Sequence, residues 1–316
     1  MRKNNNAICV TVYKHRKSSM LENLDKIDAS KYDIYIVTQT NDPCKDEYNN
    51  YHGTVLTPDV KNIFEKREYI RMEMSRRGYD GFFSIDDDVK YIAHKITPES
   101  KRATSESYKP VQCDFNEMLD KMVETSITYD AGYVCTKRFI YLGFSKPNRI
   151  GVNVMLNCAQ FIYFRLDKLN EHNLHYDTSG YVNEDLDMMI QCLQHGIKCC
   201  SVTDYGFSIT NSMYNNMDTT TLYANIDDVY KFLMHNYVKY RIPLTLDTNG
   251  MLKHHCNYGK KYFNTFELPE TDERMLELCK NDDIEGLVAY LKLIGKTNTP
   301  TGGRKKKKIN NIDNEK

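Results

Sequence analysis

The sequence predicts an α/β fold in which parallel strands are joined by crossover helices. Two observations indicate this fold: short apolar runs rich in β-branched residues alternate with segments of helical apolar spacing, and the 316 residues suffice to bury a large core. The 43 basic and 43 acidic residues cancel, so the overall charge does not indicate a nucleic-acid or membrane partner.

The first part of the chain accounts for the core of this sheet. Strands are predicted at residues 7–13, 32–39, 53–58 and 81–85. Helices are predicted between them at 18–30 and 60–77, and Gly78 ends the second helix. In open sheets of this kind, ligands bind at the carboxyl ends of the strands.

The remainder of the chain continues the alternation. Residues 96–112 are polar, contain two prolines and are predicted to form a mobile loop. The elements predicted after it are a helix at 114–128, a strand at 131–138, two strands within 148–177, a helix and a strand within 181–209, a helix at 226–240 and two helices within 270–294.

Three regions are expected along the chain. They are one α/β domain over residues 1–260, a helical extension over 261–300 and a disordered basic tail over 301–316. The tail carries the run "RKKKK" at 304–308, which could attract phosphate but is more typical of a solubilising segment.

Ten cysteines are scattered without a C-x-x-C pair, which favours buried free thiols over a zinc site. No apolar stretch approaches the length of a membrane-spanning helix. We therefore expect a reduced compartment, most simply the cytoplasm.

Three carboxylates, Asp86, Asp87 and Asp88, follow the strand at 81–85. Either they are a polar end to the strand, or they bind a cation. Hard divalent cations prefer oxygen ligands and often use one or two protein carboxylates together with substrate phosphates. On an extended chain Asp86 and Asp88 point the same way, and Asp87 points elsewhere, towards a sugar or ribose hydroxyl.

A second acidic pair, Glu184 and Asp185, begins the predicted helix in "NEDLDMM" with Asn183 as its N-cap. Acids favour helix N-termini for electrostatic reasons alone, so a capping role is the simpler interpretation. A carboxylate held there can also act as a general base for an incoming hydroxyl.

Two further groups leave alternatives open. His254 and His255 could complete a metal site, although paired histidines are more often surface residues. Lys66, Arg67 and Arg71 could face a diphosphate, or could equally lie on a solvated face of their helix.

The order of these motifs resembles that of the GT-A glycosyltransferases: a strand-end D-x-D, a later E-D at a helix start, and then a His. The resemblance covers roughly residues 7–260. Within that fold, "FFSIDDDV" with "NEDLDMMIQCLQHGIKC" looks most like the TET-associated glycosyltransferases. Members of that family occur in phages and fungi and are implicated in sugar transfer onto hydroxymethylated DNA bases.

The resemblance implies a Rossmann-like mixed sheet flanked by helices, and a metal-dependent transferase that uses a nucleotide sugar, most simply a UDP-sugar. The implied ligands of Mn²⁺ or Mg²⁺ are Asp86, Asp88 and either His254 or His255. Asp185, with Glu184, is implied as the catalytic, acceptor-side pair. The implied donor contacts are Thr11, Tyr13, Arg67, Asp86 and Asp87.

The acceptor under this resemblance is a hydroxyl, such as one on a modified DNA base. A basic, aromatic patch suited to DNA is not evident in the sequence, and the neutral net charge does not favour a duplex. The alternatives are a GT-A transferase acting on a glycan or protein, a two-metal nucleotidyltransferase or nuclease, and a binding protein that has kept the fold. The segment 96–112 is a candidate lid over the donor.

Overall fold

A computed structural model describes residues 5–14, 18–103, 105–153, 160–178, 184–210, 226–247, 249–254 and 271–296. Its main feature is a mixed ten-stranded sheet. Nine of the strands lie in the order β3-β2-β1-β4-β9-β7-β10-β5-β6, and β8 pairs with β10 beside them. The strands are β1 Asn6–Thr11, β2 Tyr32–Val37, β3 Thr54–Leu56, β4 Gly81–Asp86, β5 Val89–Lys95, β6 Val111–Cys113, β7 Ala131–Arg138, β8 Ile150–Val152, β9 Phe161–Arg165 and β10 Lys198–Ile209.

The predicted parallel strands are confirmed. β1 pairs in parallel with β2 and with β4, β2 pairs in parallel with β3, and β7 pairs in parallel with β10. The other pairs are antiparallel. Because β4 and β7 are both antiparallel to β9, they run in the same direction and end at the same edge of the sheet. We call this edge the carboxyl edge.

Helices cover the sheet. In this larger unit they are α1 Ile63–Arg76, α2 Phe115–Tyr129, α3 Phe139–Leu142, α4 Leu166–Glu171 and α5 Glu184–Gln194. The Asn62 side chain accepts a hydrogen bond from the Glu65 backbone and fixes the start of α1. The predicted apolar face of α5 is buried at Met189, Ile190 and Leu193.

Three local predictions differ from the structure. The helix expected at 18–30 is a short 3₁₀-helix, Leu21–Lys26, with Leu21 and Leu24 buried, and an i, i+3 pair suits that tighter geometry. Residues 89–95 form β5, which the polar pattern after the acid triplet concealed. The segment 96–112 was expected to be a mobile loop, but part of it is paired. It contributes the first residues of β6, and a β-bridge joins Lys101 to Tyr108.

The chain divides into two compact units, and the second contains residues 222–258 and 268–316. Its described elements are α6 Ile226–Tyr240, β11 Leu244–Leu246, β12 Leu252–His254, α7 Glu273–Lys280 and α8 Ile284–Leu293. Their buried core includes Met234, Leu246 and Leu287. Contacts thus group α6 and the β11–β12 hairpin with the two predicted C-terminal helices. The predicted tail at 301–316 lies outside the described residues.

The eight cysteines in the described ranges are free thiols, and six of them are buried. Burial raises the pKa of the Cys200 thiol to about 11 and that of Cys279 to about 12. These thiols therefore act as small apolar side chains, as the sequence predicted. None of the helices in the described part of the chain is both long and apolar enough to span a bilayer.

Candidate active site at the carboxyl edge of the sheet

The end of β4 meets the end of β1 at the carboxyl edge. Thr11 and Asp86 are register partners in the parallel β1–β4 pair. The Thr11 hydroxyl donates to Asp86 Oδ1 over 3.1 Å. The parallel register therefore brings together two residues that were predicted to contact the nucleotide sugar.

Arg67 joins Asp86 to the start of α5. Its Nη2 lies 3.0 Å from Asp86 Oδ1, its Nε lies 3.1 Å from Glu184 Oε1, and its Nη1 donates to Ser84 Oγ over 2.6 Å. The Arg67 side chain is only 2% exposed, whereas Asp86 is 26% and Glu184 15% exposed. One buried cation thus holds together two acids that lie 98 positions apart in the sequence.

The remaining two acids of the triplet lie in a turn rather than on extended chain. The expectation that Asp86 and Asp88 project the same way from a strand therefore does not apply, since β4 ends at Asp86. The Asp87 carbonyl accepts a hydrogen bond from Ser18 Oγ over 2.6 Å. The Asp88 carbonyl accepts one from the Thr210 backbone over 2.8 Å. Backbone contacts on both sides thus fix the turn that presents these carboxylates.

Two lysines lie against the Tyr13 ring beyond β1. The Lys66 Nζ donates to the Val12 carbonyl over 2.8 Å and lies 5.8 Å from the centre of the half-buried Tyr13 ring. Lys14 Nζ lies 4.9 Å from the same ring. Burial lowers the pKa of Lys66 to about 8, although the negative charges of Asp87 and Asp42 act to raise it.

Asp42, which the sequence did not single out, organises the loops that follow β1 and β2. It accepts hydrogen bonds from the Lys14 and Cys44 backbone, from Thr38 Oγ1 and from the Tyr48 hydroxyl. Burial alone would raise the pKa of Asp42, but these four donors outweigh it and the pKa is lowered. Asp42 thus remains an acceptor that holds Lys14 and Thr38 at the carboxyl edge.

A second ionic network links α1 to the chain that leads into α5. Arg71 donates to Glu68 Oε1 over 2.6 Å and lies 2.8 Å from His175 Nδ1. Glu68 also accepts from the Tyr176 backbone over 2.9 Å, and Gln191 of α5 donates to the His175 carbonyl over 2.8 Å. The network therefore connects the chain at residues 175–176 to α5 and to α1, the helix that carries Arg67.

The cations of α1 are therefore not a solvated face. Lys66, Arg67 and Arg71 are all buried, which excludes that alternative. The sequence alone could not distinguish a buried face of α1 from a solvated one, because the burial of α1 depends on β1, β4 and α5. Ser84 and Asp42 were missed for the same reason, since neither belongs to a recognisable motif.

Not every predicted site residue can be placed beside Asp86. The Asp185 side chain and all of His255 lie outside the described residues. His254 ends β12 in the second unit. Where the structure describes the chain, no three His, Cys, Asp or Glu side chains form a metal site. A cation bound to a diphosphate needs only one or two protein carboxylates.

The carboxylate oxygens of Asp86 and Asp88 suit such a cation. In the described part of the chain both hydrogen bonds to the Asp86 carboxylate reach Oδ1 and none reaches Oδ2. The three acids are partly exposed, unlike the rest of β4. Carboxylate oxygens at a solvent-accessible strand end fit Mg²⁺ or Mn²⁺.

Solved structures of similar fold include S. aureus TarS 1-349 in complex with UDP-GlcNAc, with a TM-score of 0.53 and 10% identity over 92% of this chain and 91% of that chain. TarS 1-349 in complex with UDP gives a TM-score of 0.49 at the same identity and coverage. No curated protein matches the sequence.

The family comparison is more specific than the likeness of fold. The model of a family described as TET-Associated Glycosyltransferase matches residues 8–218. The match includes the acid triplet, Arg67 and Glu184, the same residues that the fold gathers at the carboxyl edge. It spans more than half of the 316 residues. The chain therefore belongs to the TET-associated glycosyltransferase family, and it is a glycosyltransferase with a GT-A-like fold.

Proposed function

We propose that this enzyme transfers a sugar from a nucleotide diphosphate donor, most simply a UDP-sugar, to a hydroxyl of a modified base in DNA. The observation that carries the proposal is the Arg67 bridge between Asp86 and Glu184. It joins the strand end where a donor diphosphate would lie to the helix start where an acceptor would be deprotonated.

The donor would lie across the carboxyl ends of β1 and β4. The half-buried Tyr13 ring, flanked by Lys14 and Lys66, offers a stacking surface for the base with positive charge beside it. Asp86 and Asp87 supply acceptors for ribose hydroxyls. UDP-GlcNAc, the nucleotide sugar in the TarS complex, is the first compound to test.

Asp86 and Asp88 are the residues that would hold Mn²⁺ or Mg²⁺. When bound, such a cation supplies Lewis-acid stabilisation of the departing diphosphate. Oδ1 of Asp86 already accepts hydrogen bonds from Thr11 and Arg67, which limits its use as a metal ligand. We assign Asp88 as the principal ligand, with Asp86 beside it.

On the acceptor side we assign the base to Asp185. The carboxylate of its neighbour Glu184 is already engaged by Arg67, which suits Glu184 to positioning. For transfer with inversion, Asp185 would take the proton of the attacking hydroxyl. For transfer with retention, the same pair would orient the acceptor instead.

The test is donor turnover followed by the fate of the sugar. Wild-type protein is incubated with radiolabelled UDP-GlcNAc and other nucleotide sugars, with Mn²⁺ or EDTA, and with hydroxymethylated DNA, a glycan or a protein as acceptor. The proposal predicts label in DNA that depends on the cation. Label in the glycan or protein would keep the transferase and reject the DNA acceptor, and no turnover of any donor would reject both.

A further inference from the structure

The carboxyl edge carries an exposed apolar surface beside the acid triplet. α3 directly follows β7, whose end lies at the same edge as the end of β4. Ile140 is 64% exposed, Tyr141 51% and Phe144 83%. Leu142 is fully buried, and the Phe139 ring lies 4.2 Å from that of His94, so the short helix is anchored while its neighbouring rings face solvent. We call Ile140, Tyr141 and Phe144, together with Lys146 and Arg149, the α3 patch.

The sequence around the α3 patch is strongly positive. Residues 137–149 contain four basic residues and no acidic ones, in a chain whose total charge is zero. Lys146 and Arg149 are exposed, and neither forms an ion pair with a described residue. The positive charge at the α3 patch is thus available to an anionic partner.

The α3 patch is also connected to the candidate active site. The Gln160 carbonyl accepts a hydrogen bond from the Asp86 backbone over 2.9 Å. The Gln160 side chain accepts one from Arg138 Nε over 3.2 Å, and Arg138 is the residue that caps α3. One residue therefore links the acid triplet to the start of α3.

Exposed aromatic rings followed in sequence by exposed cations suit a nucleic-acid strand, since bases stack on the rings while phosphates contact the cations. A bilayer surface also combines apolar and cationic contacts, but it is usually bound by a long amphipathic helix. α3 has four residues and cannot present such a face. The chemistry of the α3 patch therefore favours a nucleic-acid partner.

We propose that the α3 patch is the docking surface for single-stranded DNA, whose unpaired bases stack on Tyr141 and Phe144 and whose phosphates contact Lys146 and Arg149. This inference rests on the proposed function in that it supplies the surface on which the DNA acceptor is held. The basic, aromatic patch that was not evident in the sequence is formed by residues within one short segment, and it becomes recognisable only once their exposure is known.

The test measures the affinity of full-length protein for a fluorescent, unmodified DNA strand of about 12 nucleotides, within the site sizes of single-strand binders. Phe144→Ser is compared with Leu293→Ser, because both residues are 83% exposed and their replacement should leave the fold intact. We expect Phe144→Ser to weaken binding about tenfold, as the loss of one base-stacking ring does. Leu293→Ser should bind like wild type.

A second comparison tests the charge. Lys146→Glu is matched with Lys198→Glu, because Lys198 is exposed and begins β10 beside Ala131, at the opposite edge of the sheet. Lys146→Glu should reduce the salt dependence of log Kd by about one unit of slope, the effect of one lost phosphate contact. Lys198→Glu should leave that slope unchanged.

The proposal is overturned if the variants of the α3 patch bind the strand as their controls do. It is also overturned if Phe144→Ser abolishes binding to vesicles containing phosphatidylserine while leaving DNA affinity unchanged, which would assign the surface to membranes. The assay contains no sugar donor. A protein that binds the strand through the α3 patch but turns over no nucleotide sugar would therefore contradict the proposed function and not this inference.

Discussion

Arg67 places one positive charge between carboxylates that come from different parts of the chain. Burying a charge is costly unless it is paired, and here Asp86, Glu184 and Ser84 provide the pairing. Removing the guanidinium would leave two acids facing each other at the edge of the core. We therefore regard Arg67 as a positioning residue that sets the geometry of both acids.

Arg67→Gln should destabilise the fold by about 3 kcal/mol and should abolish donor turnover, because it leaves partly buried charges without compensation. The control is Arg76→Gln in the same helix. The Arg76 side chain is 70% exposed and forms its ion pair within the described residues with Glu73, so its loss should cost at most about 0.5 kcal/mol. Chemical denaturation of both variants makes the comparison, and equal losses would reject the positioning role.

Lys66 predicts a measurable pH dependence. Burial lowers its pKa to about 8, so between pH 8 and the ordinary pKa of lysine the unfolded chain binds more protons than the folded one. Stability therefore rises with pH in that window, by about 2 kcal/mol near pH 9.5. Below pH 8 the cost of the buried charge is present in full.

Lys66→Met should remove this dependence. We expect the difference in unfolding free energy between wild type and Lys66→Met to shift in favour of wild type as the pH rises from about 7.5 to 9.5. Urea denaturation across that range measures it. A difference that stays constant would show that Lys66 titrates normally.

At the scale of elements, the close approach of β4 to β9 depends on Gly81. A Cβ at this position would lie 2.6 Å from the Phe164 carbonyl, and a backbone atom cannot move aside cheaply. Gly81→Ala should therefore destabilise the protein by about 2 kcal/mol. Gly196→Ala is the comparison, because its site is open but its φ is +73°, which predicts a cost of about 1 kcal/mol. Denaturation midpoints that reverse this order would contradict the steric explanation.

The elements that sequence predicted well are those whose pattern is local. α2, α6 and β7 follow from spacing and from caps such as Asp114, whose side chain accepts a hydrogen bond from the Asn116 backbone. β5 and the 3₁₀-helix Leu21–Lys26 were not predicted, because each depends on partners distant in sequence. β5 is a strand because β10 and β6 pair with it, although three of its seven residues are lysine or histidine.

The site shows the same division. Asp86, Glu184 and Arg67 were identified from motifs, and the structure brings the three together. Their bridging geometry was not predicted, since Arg67 was expected to face the donor nucleotide and its described contacts are with protein acids and Ser84. That Asp86 and Glu184 share one buried cation could be seen only after β4, α1 and α5 had been placed.

At the scale of the whole molecule, a total charge of zero conceals an uneven distribution. Residues 137–149, which begin at the end of β7, are free of acidic side chains, whereas the triplet 86–88 concentrates three of them at the same edge of the sheet. The edge therefore offers a negative region suited to a cation and a positive region suited to phosphates. This separation of negative and positive regions, rather than the net charge, is consistent with the DNA acceptor that we propose.

We propose that the acid triplet binds a nucleotide diphosphate together with a cation. The most direct measurement is the thermal stability of wild-type protein and of Asp88→Asn with UDP or UDP-GlcNAc, in Mn²⁺ or in EDTA, because a ligand that binds only the folded state must stabilise it. We expect a rise in Tm for wild type that requires Mn²⁺ and is lost in Asp88→Asn. An equal rise in both proteins, or none with any nucleotide sugar, would contradict it.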